Sequence, residues 1–581
     1  MQAAQPADVY RELIDIGIAL SAEHDPARLL ERILLEAKAI TRADAGTLYL
    51  KKDARELTFQ ILCNDTLGLV QGGTTGVDIG LPAVPLTTET GAPNMRNVAS
   101  YCANTGEMVN IADAYRAGDD LDFSGTLEFD RRTGYRSQSF LSIPLKNHDG
   151  TVIGVLQLIN AKDAGGNVVG FAEENLPAVH ALASQAAVSI DNRLLVDELK
   201  VLLDSFIAMV AAAIDSKSSY TGAHSQRGSV LTEMLVRAAC DATEGPFAEF
   251  QLTEAEWYEL RVACCLHDCG KVITPEHLVH KGTKLEAIYD RIHEIRMRFE
   301  VLKRDAEIAM LEGVIAGGNP EELKAAYEAE CATLDEEFAF IGTCNVGGEF
   351  MAAHSRERLA RIGARTWMRT LSDRVGTSYA ERLRRQDDPE RPLPTQEKLL
   401  QDRPEHLSAR ADRRLSPSDK QWDFSLQAPE HEGNLGEIYN LSVGRGTLTA
   451  EDRYRINEHM TQTIMMLESL PWPRHLRRVP EYAGGHHEKM DGTGYPRGLR
   501  REDMSVPQRV IAIADIFEAL TAADRPYKPP KTLSESIRIM QFMVKDHHID
   551  PDLFQLFLES GVCKEYASRF LTPEQIDMHD V

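Results

Sequence analysis

The chain has no run of about 18 consecutive apolar residues, the length that a membrane-crossing helix requires. Its first residues, MQAAQPADVYRELIDIG, have no basic stretch followed by an apolar one, so a secretory signal is not expected. Cysteine is sparse and unordered. There are nine, an odd number, and the close trio Cys264, Cys265 and Cys269 does not have zinc-ribbon spacing. A disulfide framework is therefore not expected, and a reducing cytoplasm is the simplest compartment. Positive charge is in deficit. Lys plus Arg number 64 against 89 Asp plus Glu, a net charge of -25. Long-range repulsion then disfavours non-specific binding to DNA or to anionic membranes, while leaving room for a local basic pocket. No internal repeat is present. What remains is the composition of a globular protein, 43% hydrophobic and 26% charged over 581 residues. At roughly 150 residues per domain, three or four units are expected, each able to bury a core without disulfides.

Residues 8–22 and 25–41 read as helices, the second opened by Asp25-Pro26, because proline at the first helical position loses no hydrogen bond. Strand-like runs follow, GTLYLKK and ELTFQILC. Later FLSIPL and TVIGVLQLIN flank a turn at His148-Asp149-Gly150, which predicts a hairpin. A long helix begins near Glu173. Residues 1–190 thus read as an antiparallel sheet flanked by helices. The stretch NIADAYRAGDDLDF, with DRRTGYRSQSFLSIPLKNHDGTVIGVLQLINAKD after it, resembles the GAF domains that bind cyclic nucleotides in phosphodiesterases and cyclases. The family's Asn-Lys, Phe and Asp-Glu signature is present in looser form, as Asn160, Lys162, Phe171, Glu173 and Glu174. Both a nucleotide-binding sensor and a dimerising scaffold without nucleotide stay open.

From Gln185 to Ala213 two heptad rows share one seam. Val188, Leu195, Leu202 and Met209 form one; Gln185, Asn192, Leu199, Phe206 and Ala213 form the other. This predicts a parallel helix pair and a homodimer, with Asn192 fixing register; the alternative is a helix packed on its own domain. Residues 285–331 are helical in pattern and break at Gly317-Gly318-Asn319-Pro320, as a helical hairpin would. Residues 386–432 mix six prolines with many charges and predict a surface excursion without a packed core. Apolar periodicity returns after Leu435.

Candidate metal ligands occur at five places on amphipathic or apolar flanks. They are His224, the pair His267-Asp268, His459, the pair His486-His487, and Asp515. Each is weak alone, since a single histidine on an apolar helix is more often structural. Projecting from helices into one interior, they exceed what one open mononuclear site takes, so two ions are expected. Two neighbouring ions can clamp a phosphate for in-line attack.

The order of these motifs carries a second resemblance. HDCGKVITPEHLVHKGTKL, HHEKMDGTGYPRGL and RVIAIADIFEALTAADRPYK are similar to the HD-GYP branch of the HD phosphohydrolases, over roughly residues 215–285 and 436–550. The resemblance implies an all-α catalytic domain that hydrolyses cyclic di-GMP to pGpG, with GMP as the alternative end product. It implies metal ligation by His224, His267, Asp268, His459, His486, His487 and Asp515, with Asp268 bridging. It gives Lys271 the phosphate, and places Tyr495, Arg525 and Lys528 around phosphate and base. Three-metal members carry a Glu four residues before the first ligand; Tyr220 stands there in this chain, so two ions are expected, iron or manganese ahead of zinc or nickel. Rival readings are the same chemistry on cyclic GMP-AMP and a non-catalytic receptor or scaffold. The expected layout is multidomain α+β. A GAF sensor spans 1–190, a coiled-coil connector 185–214, and the catalytic domain 215–290 and 436–581, split by an insertion at 291–435. Expected partners are a second copy, a cyclic dinucleotide substrate, a cyclic nucleotide at the sensor, and signalling proteins such as a diguanylate cyclase. The insertion is either a tolerated surface loop or a lid or dimer contact that gates the site.

Overall fold

The computed structural model describes residues 17–18, 23, 25–52, 55–117, 121–217, 224–348, 350–410, 422–523 and 530–578. Most of the helix expected over 8–22 lies outside the described residues, as do Tyr220, Arg525 and Lys528. The chain falls into two compact units, Met1–Asp204 and Ser205–Val581.

In the first unit, helix α1 (Pro26–Thr41) starts where the Asp25 side chain accepts the Ala27 and Arg28 amides. One sheet follows, of β1 (Ala43–Lys52), β2 (Glu56–Asn64), β3 (Leu69–Gly72), β4 (Val84–Pro85), β5 (Val109–Ile111), β6 (Phe140–Lys146), β7 (Val152–Lys162) and β8 (Val168–Val169). Its order is β3-β2-β1-β7-β6-β5, with β4 on β2 and β8 on β7. Every pairing is antiparallel. Helices α2 (Val98–Thr105) and α3 (Ser124–Thr133) lie in the connections between strands, and α4 (Leu176–Lys217) follows the sheet. Side chains alternate between faces. Leu48, Leu141, Ile143 and Leu156 pack with Ile33 and Leu34 of α1 and with Leu182 and Ala186 of α4. Tyr49, Leu57 and Val155 turn to the other face, against Ala99 and Cys102 of α2.

Beyond Ile190, α4 changes character. Leu195, Leu199, Leu202, Phe206 and Met209 of the heptad seam, with Val188 just before that point, are 44–64% exposed. The seam is not covered by the described residues of its own chain.

The second unit is mostly helical. Its main helices are α5 (His224–Asp241), α6 (Glu254–Leu266), α7 (Ile292–Ile315), α8 (Pro320–Val346), α9 (Ala450–Glu468), α10 (Val479–Gly484) and α11 (Val506–Thr521). α7 and α8 make a hairpin, and Asn319 caps α8 by accepting the Glu321 amide.

The stretch 386–432 corrects the expectation of an excursion without a core. Strand β9 (Thr366–Arg369) pairs with β10 (Thr395–Lys398), and the next two residues, Leu399 and Leu400, are fully buried with Ile295, Phe299, Leu334 and Ile341 of the hairpin. Arg369, Arg385, Glu397 and Glu405 are buried together. Arg369 pairs with Glu397 at 2.6 Å, Arg403 also pairs with Glu397, and Arg385 pairs with Glu405 and, at 3.1 Å, with Asp373. A charged composition reads as solvated; here the planar guanidinium forks match carboxylates and allow the charges inside.

Candidate metal centre

Two glycines let the backbone close around the site. Gly270 follows the His267-Asp268 pair in a 3-10 turn (Cys269–Ile273). A Cβ there would stand 1.9 Å from the His459 carbonyl and 2.6 Å from the Thr463 nitrogen. Its N–H donates to Thr463 Oγ1 at 2.9 Å. Only glycine lets this turn lie on α9, and that contact brings Asp268 beside His459. Gly494 tightens its own loop, where a Cβ would stand 2.3 Å from Lys489 N and 2.5 Å from Glu488 Cα.

These turns also correct an expectation. The His-Asp and His-His pairs do not project from helix interiors. His267 caps the C-terminus of α6, Asp268 lies in the turn after it, and His486-His487 lies in the turn after α10. Turns place adjacent side chains with a freedom that a regular helix lacks.

The seven candidate ligands converge as two groups. Ligand atoms of His224, His267, Asp268 and Asp515 lie within 4.8 Å of one another, and so do those of His459, His486 and His487. Asp268 stands between the groups. Its Oδ2 is 3.3 Å from His267 Nε2 and 3.6 Å from His224 Nε2. Its Oδ1 is 3.5 Å from His459 Nε2 and 3.9 Å from His486 Nε2. Asp515 Oδ1 is 3.2 Å from His224 Nε2 and 3.9 Å from His267 Nε2.

The tautomers follow from the hydrogen bonds. His267, His459 and His486 direct Nδ1 at the carbonyls of Cys264, Ile456 and Ala483, at 2.7, 2.5 and 2.9 Å. A carbonyl only accepts, so Nδ1 carries the proton and the Nε2 lone pair faces inward. His224, His267, His459 and His486 leave Nε2 buried without a hydrogen bond, and Asp268 leaves Oδ1 so. Each such atom costs about 1–3 kcal/mol without a partner. Five converging on one interior fit a cation, which satisfies lone pairs that no neighbouring donor reaches.

The electrostatics agree. Burial pushes His459 down to about 4, and His486 and His487 down to about 3, so all three are neutral near pH 7, the form that ligates. Burial works to raise Asp268, but Lys271 and His267 beside it bring it well below the usual carboxylate range. Burial likewise opposes ionisation of Asp515, and His224 and His267 outweigh it. Burial works to lower His224 and His267, yet the two carboxylates raise both, His267 to about 9. Protons occupy there the places that a cation would take. Lys271 Nζ pairs with Asp268 Oδ2 from a half-exposed position. The Tyr495 ring stacks on His487, with centroids 4.9 Å apart and planes at 13°.

A GAF-domain family model matches residues 25–190, and an HD-domain model matches residues 394–553. The chain carries a GAF domain and an HD domain. His459, His486, His487 and Asp515 lie within the HD match, whereas His224, His267 and Asp268 precede it; the fold brings the two sets together. A 3'3'-cGAMP-specific phosphodiesterase of Vibrio cholerae is 45% identical over 140 residues, covering 23% of this chain and 28% of the relative. A second such enzyme from the same organism is 34% identical, over 24% of this chain and 29% of the relative. A cyclic di-GMP phosphodiesterase of Thermotoga maritima is 32% identical, over 24% of this chain and 37% of the relative. The chain thus spans well under half the length of these relatives. Among the described residues no helix is long and apolar enough to cross a membrane.

The HD domain also uses two acids that sequence reasoning missed. Glu518, on α11 one turn after Asp515, is buried against His224 Nδ1. Arg227 Nε donates to its other oxygen at 2.8 Å. His224 is thereby oriented by a carboxylate, where three other histidines use carbonyls. Glu488 is buried next to His487. It accepts the amides of Arg497, Gly498 and Leu499 at 2.7, 3.2 and 3.0 Å, which fixes the loop after Tyr495. The available signal was an acid set inside an apolar run, as in IADIFEALTA.

Proposed function

We propose that this protein is a metal-dependent phosphodiesterase that hydrolyses a cyclic dinucleotide, cyclic di-GMP to linear pGpG, with GMP as the alternative end product. The reading is carried by Asp268, with one carboxylate oxygen toward each group of imidazoles. That arrangement suits two divalent ions, iron or manganese ahead of zinc or nickel. Bound there, such ions supply Lewis acidity toward phosphate and lower the pKa of water. The chain's own residues do the rest. Cys264, Ile456 and Ala483 carbonyls hold three imidazoles in the ligating tautomer. Lys271 brings positive charge to the rim, where negative charge grows on the phosphate in the transition state. Tyr495 walls the pocket beside the base; Arg525 and Lys528 are assigned to phosphate and base on the family resemblance alone. All seven ligand positions hold ligating residues, which favours an enzyme over a silent receptor.

The second reading is cyclic GMP-AMP as substrate, favoured by the name of the relative at 45% identity. The exposed seam on α4 pairs with a second copy, giving a parallel dimer. The GAF domain holds a cavity of about 490 Å³ bordered by Asn97, Arg132, Tyr135 and Gln157, sized for a small regulator such as a cyclic nucleotide. The protein works in the cytoplasm, beside signalling partners such as a diguanylate cyclase. The test is product analysis with protein loaded with manganese or iron and offered both dinucleotides in competition. Linear dinucleotide is expected; a fully metallated sample that leaves both rings intact overturns the reading.

A further inference from the structure

A segment near the start of the HD-domain match, inside the stretch expected to be an insertion, lies on the Gly494-Tyr495-Pro496 turn. Residues 422–427, WDFSLQ, return from the stretch that composition marks as an excursion. Ser425 there donates twice to one acceptor, the Pro496 carbonyl, from its backbone nitrogen at 2.7 Å and from its hydroxyl at 3.0 Å. Arg497 Nε donates to the Trp422 carbonyl at 3.1 Å, and the Arg497 guanidinium lies 6.0 Å from the Phe424 ring. Phe424 stacks on the buried Trp422 at 6.2 Å and 9°.

The same turn is held from its other side by Glu488. The Tyr495 amide donates to the His487 carbonyl at 3.2 Å, and its ring stacks on the His487 imidazole. A chain of contacts therefore runs from Ser425 through Pro496 to Tyr495 and His487. Neither side alone fixes the turn. Glu488 takes the amides of 497–499, and the carbonyl of Pro496 is left for Ser425.

We infer that residues 422–427 are a positioning strap, by which Ser425 sets Tyr495 against His487 and so shapes the substrate wall of the site. The inference rests on the proposed phosphodiesterase reading and deepens it. The strap is then part of the pocket, and a dinucleotide should feel it as affinity, while the metal ligands keep their anchors.

The test compares full-length wild type with Ser425→Pro, which removes both donors, and with Ser425→Thr, which keeps both. Metal content, melting temperature, kcat and KM for cyclic di-GMP, and amide exchange over 495–499 are measured on each. In Ser425→Pro, KM should rise about tenfold, the size expected for lost hydrogen bonds worth about 1.4 kcal/mol. Exchange over 495–499 should quicken, metal content should hold, and Ser425→Thr should restore KM. Unchanged KM and exchange overturn the inference. So does faster exchange with unchanged KM, or a KM rise that follows metal loss or melting, since those mark a merely structural contact. Should Ser425→Pro fail to fold, the Trp422→Ala/Phe424→Ala pair is read by the same criteria. If wild type leaves cyclic di-GMP intact, the functional reading fails. The strap is then judged on exchange and on whether Ser425→Pro weakens binding of cyclic di-GMP itself, measured by calorimetry, with no change in either overturning it.

Discussion

The two units bury polar side chains to different ends. In the N-terminal unit they close on one another. Asn160, at a φ of 58° near the end of β7, accepts the Gln138 and Ser139 amides and donates to Tyr135 Oη and the Arg136 carbonyl. Tyr135 donates to Asp44 at 2.7 Å, and Thr66 and Lys162 reach the same carboxylate. Among the described residues of that unit, the buried side-chain atom left without a hydrogen bond is Arg193 Nε, out on α4. In the C-terminal unit five such atoms converge on one interior. A network that satisfies itself is architecture; a converging set that cannot do so is a place for something else. The contrast also explains the loose GAF signature. Asn160, Lys162 and Phe171 hold the sheet together.

Breaking the contrast has its largest effect at Asp268. Asp268→Ala should abolish dinucleotide hydrolysis and strip bound metal, because it removes the one carboxylate between both groups; elemental analysis and product analysis check it together. Glu518→Gln is the next largest. A carboxylate behind a ligating histidine is worth about 10- to 100-fold in metal affinity. The variant should show that loss in competition with a chelator, while its overall fold is kept. On the architectural side, Asn160→Ala removes four hydrogen bonds, two of them fully buried, and should cost about 2–3 kcal/mol in the GAF domain's unfolding. It should leave metal content unchanged, as calorimetry and elemental analysis would show.

The smallest effect is the acid response of Asp44. Burial works to raise its carboxyl, but Lys162, Tyr135 and Thr66 bring it below the usual value. The unfolded carboxyl titrates near about 3.9. Its stabilising contribution is therefore complete above about pH 4 and is lost as pH falls through the lower folded value. Asp44→Asn should flatten that part of the melting-temperature profile, and an unaltered acid slope would contradict the assignment.

The legible parts of the molecule were those governed by local pattern. Asp25-Pro26 and Asn319-Pro320 mark helix starts, and the His148-Asp149-Gly150 turn marks the β6–β7 hairpin, because caps and turns depend on neighbours in sequence. The long helix that begins near Glu173 was readable from its apolar periodicity. The convergence of the ligands depended instead on close approach across the chain. Nothing local announces that Gly270 must touch the His459 carbonyl. The folded stretch around Arg385 and Glu405 was hidden by its charge, since composition cannot tell a paired guanidinium from a solvated one. Glu518 was hidden because a lone acid on a helix is usually exposed, and here it is 1% exposed.

The most direct test of the account is metal stoichiometry on full-length protein purified without oxygen, read with melting temperature before and after chelation. The account predicts two divalent ions per chain and a lower melting temperature once they are removed, as the five buried atoms lose their partners. A well-folded protein that takes up no ion from iron or manganese, and melts the same with or without chelator, would contradict it.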